Sequence, residues 1–139
     1  MPTERVNYDI YAGPLSGALE ARATEIFNGL TPATDIFQHG QPLEAEFVVT
    51  LSPAPDFPAT VVTVALDGSD VGGPRPTFEP IEGASFTFGA AGGEQRVTIA
   101  GAALRRYVCA RWAADREVSI QRRDMLRVTA VALVKTVAS

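Results

Sequence analysis

The segment Leu43-Glu-Ala-Glu-Phe-Val-Val-Thr-Leu51 decides the fold, because its apolar and polar side chains alternate along its whole length. Its odd-numbered positions are all apolar, while Glu44, Glu46 and Thr50 fall on the opposite face. This period of two is typical of a half-buried antiparallel strand. The proline-rich stretch at 52–58 follows, and proline cannot donate to a sheet ladder. The pattern therefore predicts a strand that ends where the prolines begin.

Similar short patterns occur on both sides of this strand and are separated by glycine- and proline-containing turns. They predict strands at 7–11, 60–66, 85–88, 95–99, 105–112, 117–120 and 126–134. Asp67-Gly68 predicts a turn, residues 15–27 fit either a strand or a helix, and 126–134 has the composition of a strand buried on both faces. The sequence predicts an all-β fold, an antiparallel, jelly-roll-like β-sandwich of seven to nine short strands. It also predicts an extended or partly helical N-terminal segment.

The 139 residues fit one domain, in which 1–40 form an N-terminal arm or first strands and 41–139 form the sandwich core. The apolar fraction of 46% and the charged fraction of 20% are ordinary for a globular protein. No apolar run approaches the ~20 residues of a membrane span, and the first residues are too polar to open a signal peptide. We therefore expect a soluble protein made in the cytoplasm, without a membrane partner.

The charges are sorted along the chain. Residues 1–94 hold thirteen of the sixteen acidic residues and three of the twelve basic ones, a net charge of −10. Residues 95–139 hold nine bases and three acids, a net charge of +6. Such a chain either pairs its two halves internally or presents opposite charges to neighbouring molecules. Within one small sandwich some of these charges are expected to pair internally, and the remainder to form a protein–protein interface.

Catalytic chemistry has little support in these residues. His39 is the only histidine and Cys109 the only cysteine, and Cys109 lies mid-strand, where cysteine is usually a small apolar filler. One histidine and one cysteine do not make a zinc site, and the acidic turn around Asp67 and Asp70 lacks the spacing of a calcium loop. We predict a non-enzymatic protein with no catalytic residues, no cofactor and no metal, and we interpret that turn as solvated.

The aromatic residues indicate two candidate binding functions. Arginines beside Tyr107 and Trp112 suggest a single-stranded nucleic acid, but a pI near 4.9 opposes this and strand alternation directs Trp112 into the core. A carbohydrate-binding sandwich is the alternative that stays open, with Tyr8, Tyr11 and Tyr107 as stacking candidates. It predicts an exposed aromatic platform, whereas nucleic-acid binding is not expected.

The segment Leu104–Trp112, followed by a polar turn and the closing run Val128–Val134, resembles the last strands of small β-sandwich proteins in tailed bacteriophage virions. Phe86–Phe88 and Gln95–Ile99 resemble the strands that precede this ending, so the likeness covers about residues 43–136. The resemblance implies a capsid decoration (cement) protein, commonly trimeric and jelly-roll-like, or an accessory head or tail component.

On that reading the protein is structural. It would be made in the bacterial host cytoplasm, would sit on the capsid surface of the virion, and would bind itself as a homotrimer and the major capsid protein. The charged residues expected at these partner interfaces are Arg105, Arg106, Arg111, Arg122, Arg123, Glu44 and Glu46.

Overall fold

A computed structural model describes residues 3–14, 28–52, 61–71, 78–89, 92–114 and 125–135. These residues form nine strands and a single 3₁₀ turn, Gly101–Ala103. The strands are β1 (Thr3–Pro14), β2 (Asn28–Leu30), β3 (Thr34–Asp35), β4 (Glu44–Ser52), β5 (Val62–Ser69), β6 (Glu79–Phe88), β7 (Gly93–Ala100), β8 (Tyr107–Ala114) and β9 (Met125–Lys135). The predicted all-β class is confirmed. Residues 15–27 and the predicted strand at 117–120 lie outside the described residues.

The strands form two antiparallel sheets. Sheet A has the order β1-β9-β4-β7; sheet B has the order β2-β8-β5-β6, and β3 also pairs with β8. The pairs are nested, because β1 meets β9, β2 and β3 meet β8, β4 meets β7, and β5 meets β6. A chain folded back on itself in this way and divided between two sheets is a jelly roll. The structure therefore confirms the predicted antiparallel sandwich.

The core lies between the sheets and is built by alternate residues of the central strands. In β4, Ala45, Phe47 and Val49 are fully buried, as the opening segment predicts. In β8 the inward residues are Val108, Ala110 and Trp112, and Trp112 lies opposite Val64 of β5 in the register. Each large apolar side chain buried in this way contributes about 1.5–3 kcal/mol, so the two central strand pairs supply much of the stability.

Residues before position 41 supply strands to both sheets. β1 is an edge of sheet A, whereas β2 and β3 together line an edge of sheet B. Between β2 and β3, the buried Thr31 binds β8 twice: its N–H donates to the Ala110 carbonyl at 2.9 Å, and its Oγ1 accepts from the Ala110 N–H at 2.8 Å. The early segment is thereby joined to the last third of the chain.

The predicted turn at Asp67-Gly68 is wrong, because β5 continues through both residues. Asp67 pairs with Cys109 and Gly68 with Val108, and the chain bends only from Asp70 onward. Gly68 is needed for close packing, since a Cβ there would lie 2.9 Å from Cβ of Arg105. Asp67 is also only 5% exposed, so the interpretation of this segment as a solvated turn is wrong too.

The prediction that the last strand is buried on both faces is also wrong. Residues 126, 128, 130, 132 and 134 are buried, but Thr129, Val131 and Leu133 on the other side are half-exposed. The composition is apolar on both sides, yet the described residues include no layer that covers the outward side. An aliphatic stripe therefore stays accessible on the outside of sheet A.

Among the described glycines, Gly101 has the least room for a side chain. Its N–H donates to the Leu43 carbonyl at 2.8 Å, and a Cβ there would lie 2.5 Å from the Pro42 carbonyl oxygen. We expect Gly101→Ala to lower the free energy of unfolding by about 1–3 kcal/mol, because two backbone segments must separate. Gly89→Ala is the matched control, since a Cβ there meets nothing within 4 Å. Chemical denaturation of both variants checks this, and equal stabilities would contradict it.

Candidate interaction surfaces

Three of the predicted interface arginines are engaged inside the molecule. Arg105 Nη1 lies 2.7 Å from Asp70 Oδ2, Arg106 Nη2 lies 3.1 Å from Asp35 Oδ2, and Arg111 Nε lies 3.3 Å from Asp67 Oδ2. Arg111 lies in β8, and Arg105 and Arg106 directly precede it. Their acidic partners lie in β3 (Asp35), in β5 (Asp67) and directly after β5 (Asp70). The predicted internal pairing between the basic and acidic parts of the chain is therefore present. Arg122 and Arg123 lie outside the described residues.

The Arg111–Asp67 pair differs from the other two in its burial. A second contact, from Arg111 Nη2 to Asp67 Oδ1 at 3.4 Å, makes it two-pronged, and the Asp67 side chain is only 8% exposed. Planar guanidinium groups suit this geometry better than ammonium groups. The nearly buried carboxylate thus has a charged partner, which a carboxylate at that depth requires.

The Arg106–Asp35 pair holds the short strand β3. Asp35 Oδ1 also accepts the Phe37 N–H at 2.8 Å, so both carboxylate oxygens are used. Burial raises the pKa of Asp35, but the Phe37 amide and the Arg106 guanidinium outweigh it and hold that pKa below its usual value. Arg106 also lies 5.5 Å from the centre of the Tyr107 ring, in the range of a cation–π contact.

Glu44 and Glu46 lie on the outward side of sheet A, as predicted. We call this side the sheet A face, and its central residues are Arg5, Glu44, Glu46, Val48, Arg96, Thr98, Val131 and Leu133. Glu46 Oε1 lies 3.4 Å from Arg96 Nη1, and Arg96 Nη2 lies 2.9 Å from Glu94 Oε2. Glu94 and then Glu46 raise the pKa of Arg96. Glu44 and Arg5 form no ion pair with a described residue.

An aliphatic stripe runs through the middle of the sheet A face. Val48, Val131 and Leu133 are half-exposed on the two central strands, and Glu44 lies opposite Leu133 while Glu46 lies opposite Val131. Charged groups of both signs surround the stripe. Sequence reasoning found the two glutamates but missed Arg5, Val48 and the β9 residues, because only the strand register places them side by side.

Two depressions mark the surface of the described residues. One, of about 270 Å³, is lined by residues 68–71, Glu79 and Arg105; the other, of about 220 Å³, lies on the sheet A face between Arg5 and Thr98. Both are smaller than the ~300–1,000 Å³ of typical small-molecule pockets. Their linings are dominated by charged and polar groups, so they fit a protein surface better than a ligand cavity.

The stacking residues proposed for a carbohydrate site do not form an exposed platform. Tyr8 is 6% exposed, Tyr11 and Tyr107 are half-buried, and Trp112 is fully buried. Burial raises the pKa of the Tyr8 hydroxyl; the nearby His39 backbone opposes this rise, and the negative charge of Asp35 adds to it. Among the described residues, every Phe, Tyr and Trp side chain is buried or half-buried.

The described residues offer no metal site and no membrane-spanning helix. The described ranges contain no group of three or more histidine, cysteine, aspartate or glutamate side chains placed to hold a metal ion. His39 is exposed in the loop before β4, whereas Cys109, the only cysteine, is buried in β8. No helix in the described part of the chain is long and apolar enough to cross a membrane.

Comparisons with known proteins give a likeness of fold only. No family model and no curated protein matches the chain. A Clostridium thermocellum endo-1,4-β-D-xylanase structure with CBM22-1 and GH10 modules, complexed with xylohexaose, matches with a TM-score of 0.46 and 12% identity over 96% of this chain. This chain spans 30% of that one.

A cleaved adhesin domain of Lys-gingipain from Porphyromonas gingivalis matches with a TM-score of 0.43 and 16% identity. The match covers 94% of this chain and 91% of that domain. The neighbours therefore include a carbohydrate-binding enzyme structure and an adhesin domain. Likenesses of this degree carry no conclusion about the function of this chain.

The Asp35 carboxylate makes stability depend on acid pH. Because its pKa is lowered in the folded state, its contribution is present above the unfolded pKa of about 3.9 and is lost as the pH falls through the lower folded value. We expect Asp35→Asn, which keeps an acceptor for the Phe37 N–H, to be less stable than wild type at neutral pH. The difference should shrink as the pH falls through the lowered folded pKa of Asp35, because the carboxylate is then protonated in both states.

Denaturation midpoints measured across this pH range test the prediction. Glu82→Gln is the matched control, because Glu82 is exposed in β6 and forms no ion pair with a described residue. A stability difference for Asp35→Asn that stays constant from neutral to acid pH would show that the charge plays no part.

Proposed function

We propose that this protein is a structural virion protein of the capsid decoration type, acting through protein–protein contacts of the sheet A face. The observation that carries the proposal is the aliphatic stripe of Val48, Val131 and Leu133 inside a charged rim. Protein interfaces commonly have an apolar centre that becomes buried and a polar border that stays wet. This arrangement sits on two central strands, so the surface is held rigidly before it binds.

The sequence resemblance to tailed-phage virion proteins supports the choice of partner. A decoration protein needs a stable body with one adhesive face, because it stabilises a lattice by covering the seams between capsid subunits. The ion pairs of Arg105, Arg106 and Arg111 act within the sandwich itself, and the sheet A face is available to the partner. Many weak copies bound at once give a large total stabilisation, since each adds its contact to the same shell.

In this proposal the protein is made in the host cytoplasm and binds the capsid surface as a homotrimer. Three copies of the sheet A face would then contact the major capsid protein around one symmetry axis. The oppositely charged groups along the rim, including Glu44 and Arg5, would favour one orientation of docking over others. Neither nucleic acid nor a membrane has a role in this arrangement.

A lysine in the middle of the stripe tests the proposal. We expect Val131→Lys to keep the fold, because the position is half-exposed, and to weaken binding to assembled capsids about tenfold or more. Thr63→Lys is the matched control, since Thr63 is also half-buried and lies on a central strand of sheet B. Cosedimentation with capsids of the same phage measures binding, and cryo-EM locates the added density.

The possible results separate the candidate functions. Added density over the capsid shell that Val131→Lys abolishes and Thr63→Lys retains supports decoration by this face. Density only at the neck or tail would make the protein a head–tail accessory component instead. Absence of any density, together with glycan-array binding by the isolated protein, would overturn the proposal in favour of a carbohydrate-binding module.

A further inference from the structure

The first strand is an exposed edge of sheet A. In the described part of the chain β1 pairs only with β9, on one of its two sides. An edge strand presents unpaired N–H and C=O groups that can accept another strand. Arg5, Asn7 and Asp9 are exposed on its outward side, and Val6 and Tyr8 point toward the core side. None of these three outward side chains forms an ion pair or a hydrogen bond with a described residue.

We propose that two copies of this chain pair through β1, antiparallel and centred on Asn7, so that Arg5 of each copy faces Asp9 of the other. The segment Arg5-Val6-Asn7-Tyr8-Asp9 is self-complementary in this arrangement. On the outward side the two-fold axis brings together two Arg5–Asp9 pairs and one Asn7–Asn7 pair. On the core side each Val6 lies opposite Tyr8 of the second copy, an aromatic–aliphatic pair that favours strand association.

The register is fixed by the same residues. Outward residues must face outward residues, so alternative registers of a two-fold pair differ by two positions. A shift of two in either direction leaves Arg5 opposite Asn7 or Asn7 opposite Asp9, without an ion pair. A shift of four places Arg5 opposite itself or Asp9 opposite itself, which is repulsive. Centring on Asn7 is therefore the register in which both charges of each copy are paired.

The local geometry limits the pairing to these five residues. The register of β1 against β9 shifts between Asp9 and Tyr11, and such a bulge bends the strand and interrupts regular pairing. The regular part of β1 ends at Asp9, which is also the last residue that the ion pairs need. Charged side chains, lysine above all, usually protect an edge strand from pairing, whereas this edge carries both signs in an order that favours pairing with a second copy.

This contact does not depend on the proposed function. It joins copies in pairs, whatever surface docks on a capsid and whatever other contacts the copies make. The four-stranded sheet A of one copy would continue across the two-fold axis into sheet A of the second copy, so that together they form one eight-stranded sheet. The sheet A faces of both copies would then lie side by side and point the same way, which doubles the outward surface.

A cysteine at the centre of the pair gives a direct test. Directly opposite residues of antiparallel strands have Cα atoms about 4.5–5.5 Å apart, which is within the range that a disulfide spans. We therefore expect Asn7→Cys to form a covalent dimer rapidly under mild oxidation. Thr3→Cys is the matched control, because in this register the two copies of position 3 lie about 27 Å apart. The native Cys109 is fully buried and does not compete.

Charge reversal tests the register independently. We expect Arg5→Asp to weaken self-association about tenfold, because two like-charged pairs replace two ion pairs. The double change Arg5→Asp with Asp9→Arg should restore it, since the pairs re-form with exchanged signs. Arg127→Asp, on the neighbouring strand of the same face, makes the same charge change away from the edge and should leave association unchanged.

Sedimentation equilibrium measures the association of each variant, and circular dichroism verifies that each one is folded. The proposal is supported by selective cross-linking at position 7 and by rescue in the double variant. Equal cross-linking at positions 3 and 7, or a double variant as weak as the single one, would overturn it. Capsid binding is scored separately, so failure of this contact is distinguishable from failure of the decoration function.

Discussion

Antiparallel pairing between early and late strands is the constraint on which the other features depend. Six of the seven pairings between described strands join a strand from the first half of the chain to β7, β8 or β9; only β5 with β6 does not. A chain whose charges are sorted by position therefore acquires opposite charges on neighbouring strands. The uneven distribution of acidic and basic residues along the sequence therefore places acidic side chains beside basic ones in the folded chain.

The energies of ion pairs and of buried apolar side chains show how far this charge pairing stabilises the fold. An exposed ion pair contributes roughly 0–1 kcal/mol, whereas one large buried apolar side chain contributes about 1.5–3 kcal/mol. The core between the sheets therefore stabilises the fold, and most of the ion pairs add little to it. Their effect is on specificity: a strand placed in the wrong register would leave Asp67 nearly buried without Arg111. Such a buried, unpaired carboxylate is costly, so this pair disfavours alternative registers of β5 and β8.

The sequence predicts the strands because alternation is local, and it predicts the faces of β4 and β8 correctly for the same reason. It cannot supply the partners, since pairing in a jelly roll joins residues that are far apart in the chain. Asp67-Gly68 shows the limit: the dipeptide has the chemistry of a turn, but Arg111 and the close approach of Arg105 keep it inside β5. The sequence predicts Arg105, Arg106 and Arg111 at partner surfaces without showing their internal acidic partners, because those partners are brought close only by the strand register.

Internal pairing also decides where the remaining charge lies. On sheet B the arginines of β8 and the residues before it are matched by Asp35, Asp67 and Asp70, so that side has little uncompensated charge around β8. On sheet A, by contrast, Arg5, Asp9, Glu44 and Arg127 form no ion pair with a described residue and stand around an accessible aliphatic stripe. Charge that the fold does not use is available to a partner, and in the described part of the chain most of it lies on the strands of sheet A, although Glu79 and Glu82 of β6 are also without an ion pair. Association by this protein should therefore depend on salt through sheet A, because ions screen exposed charges far more than buried pairs.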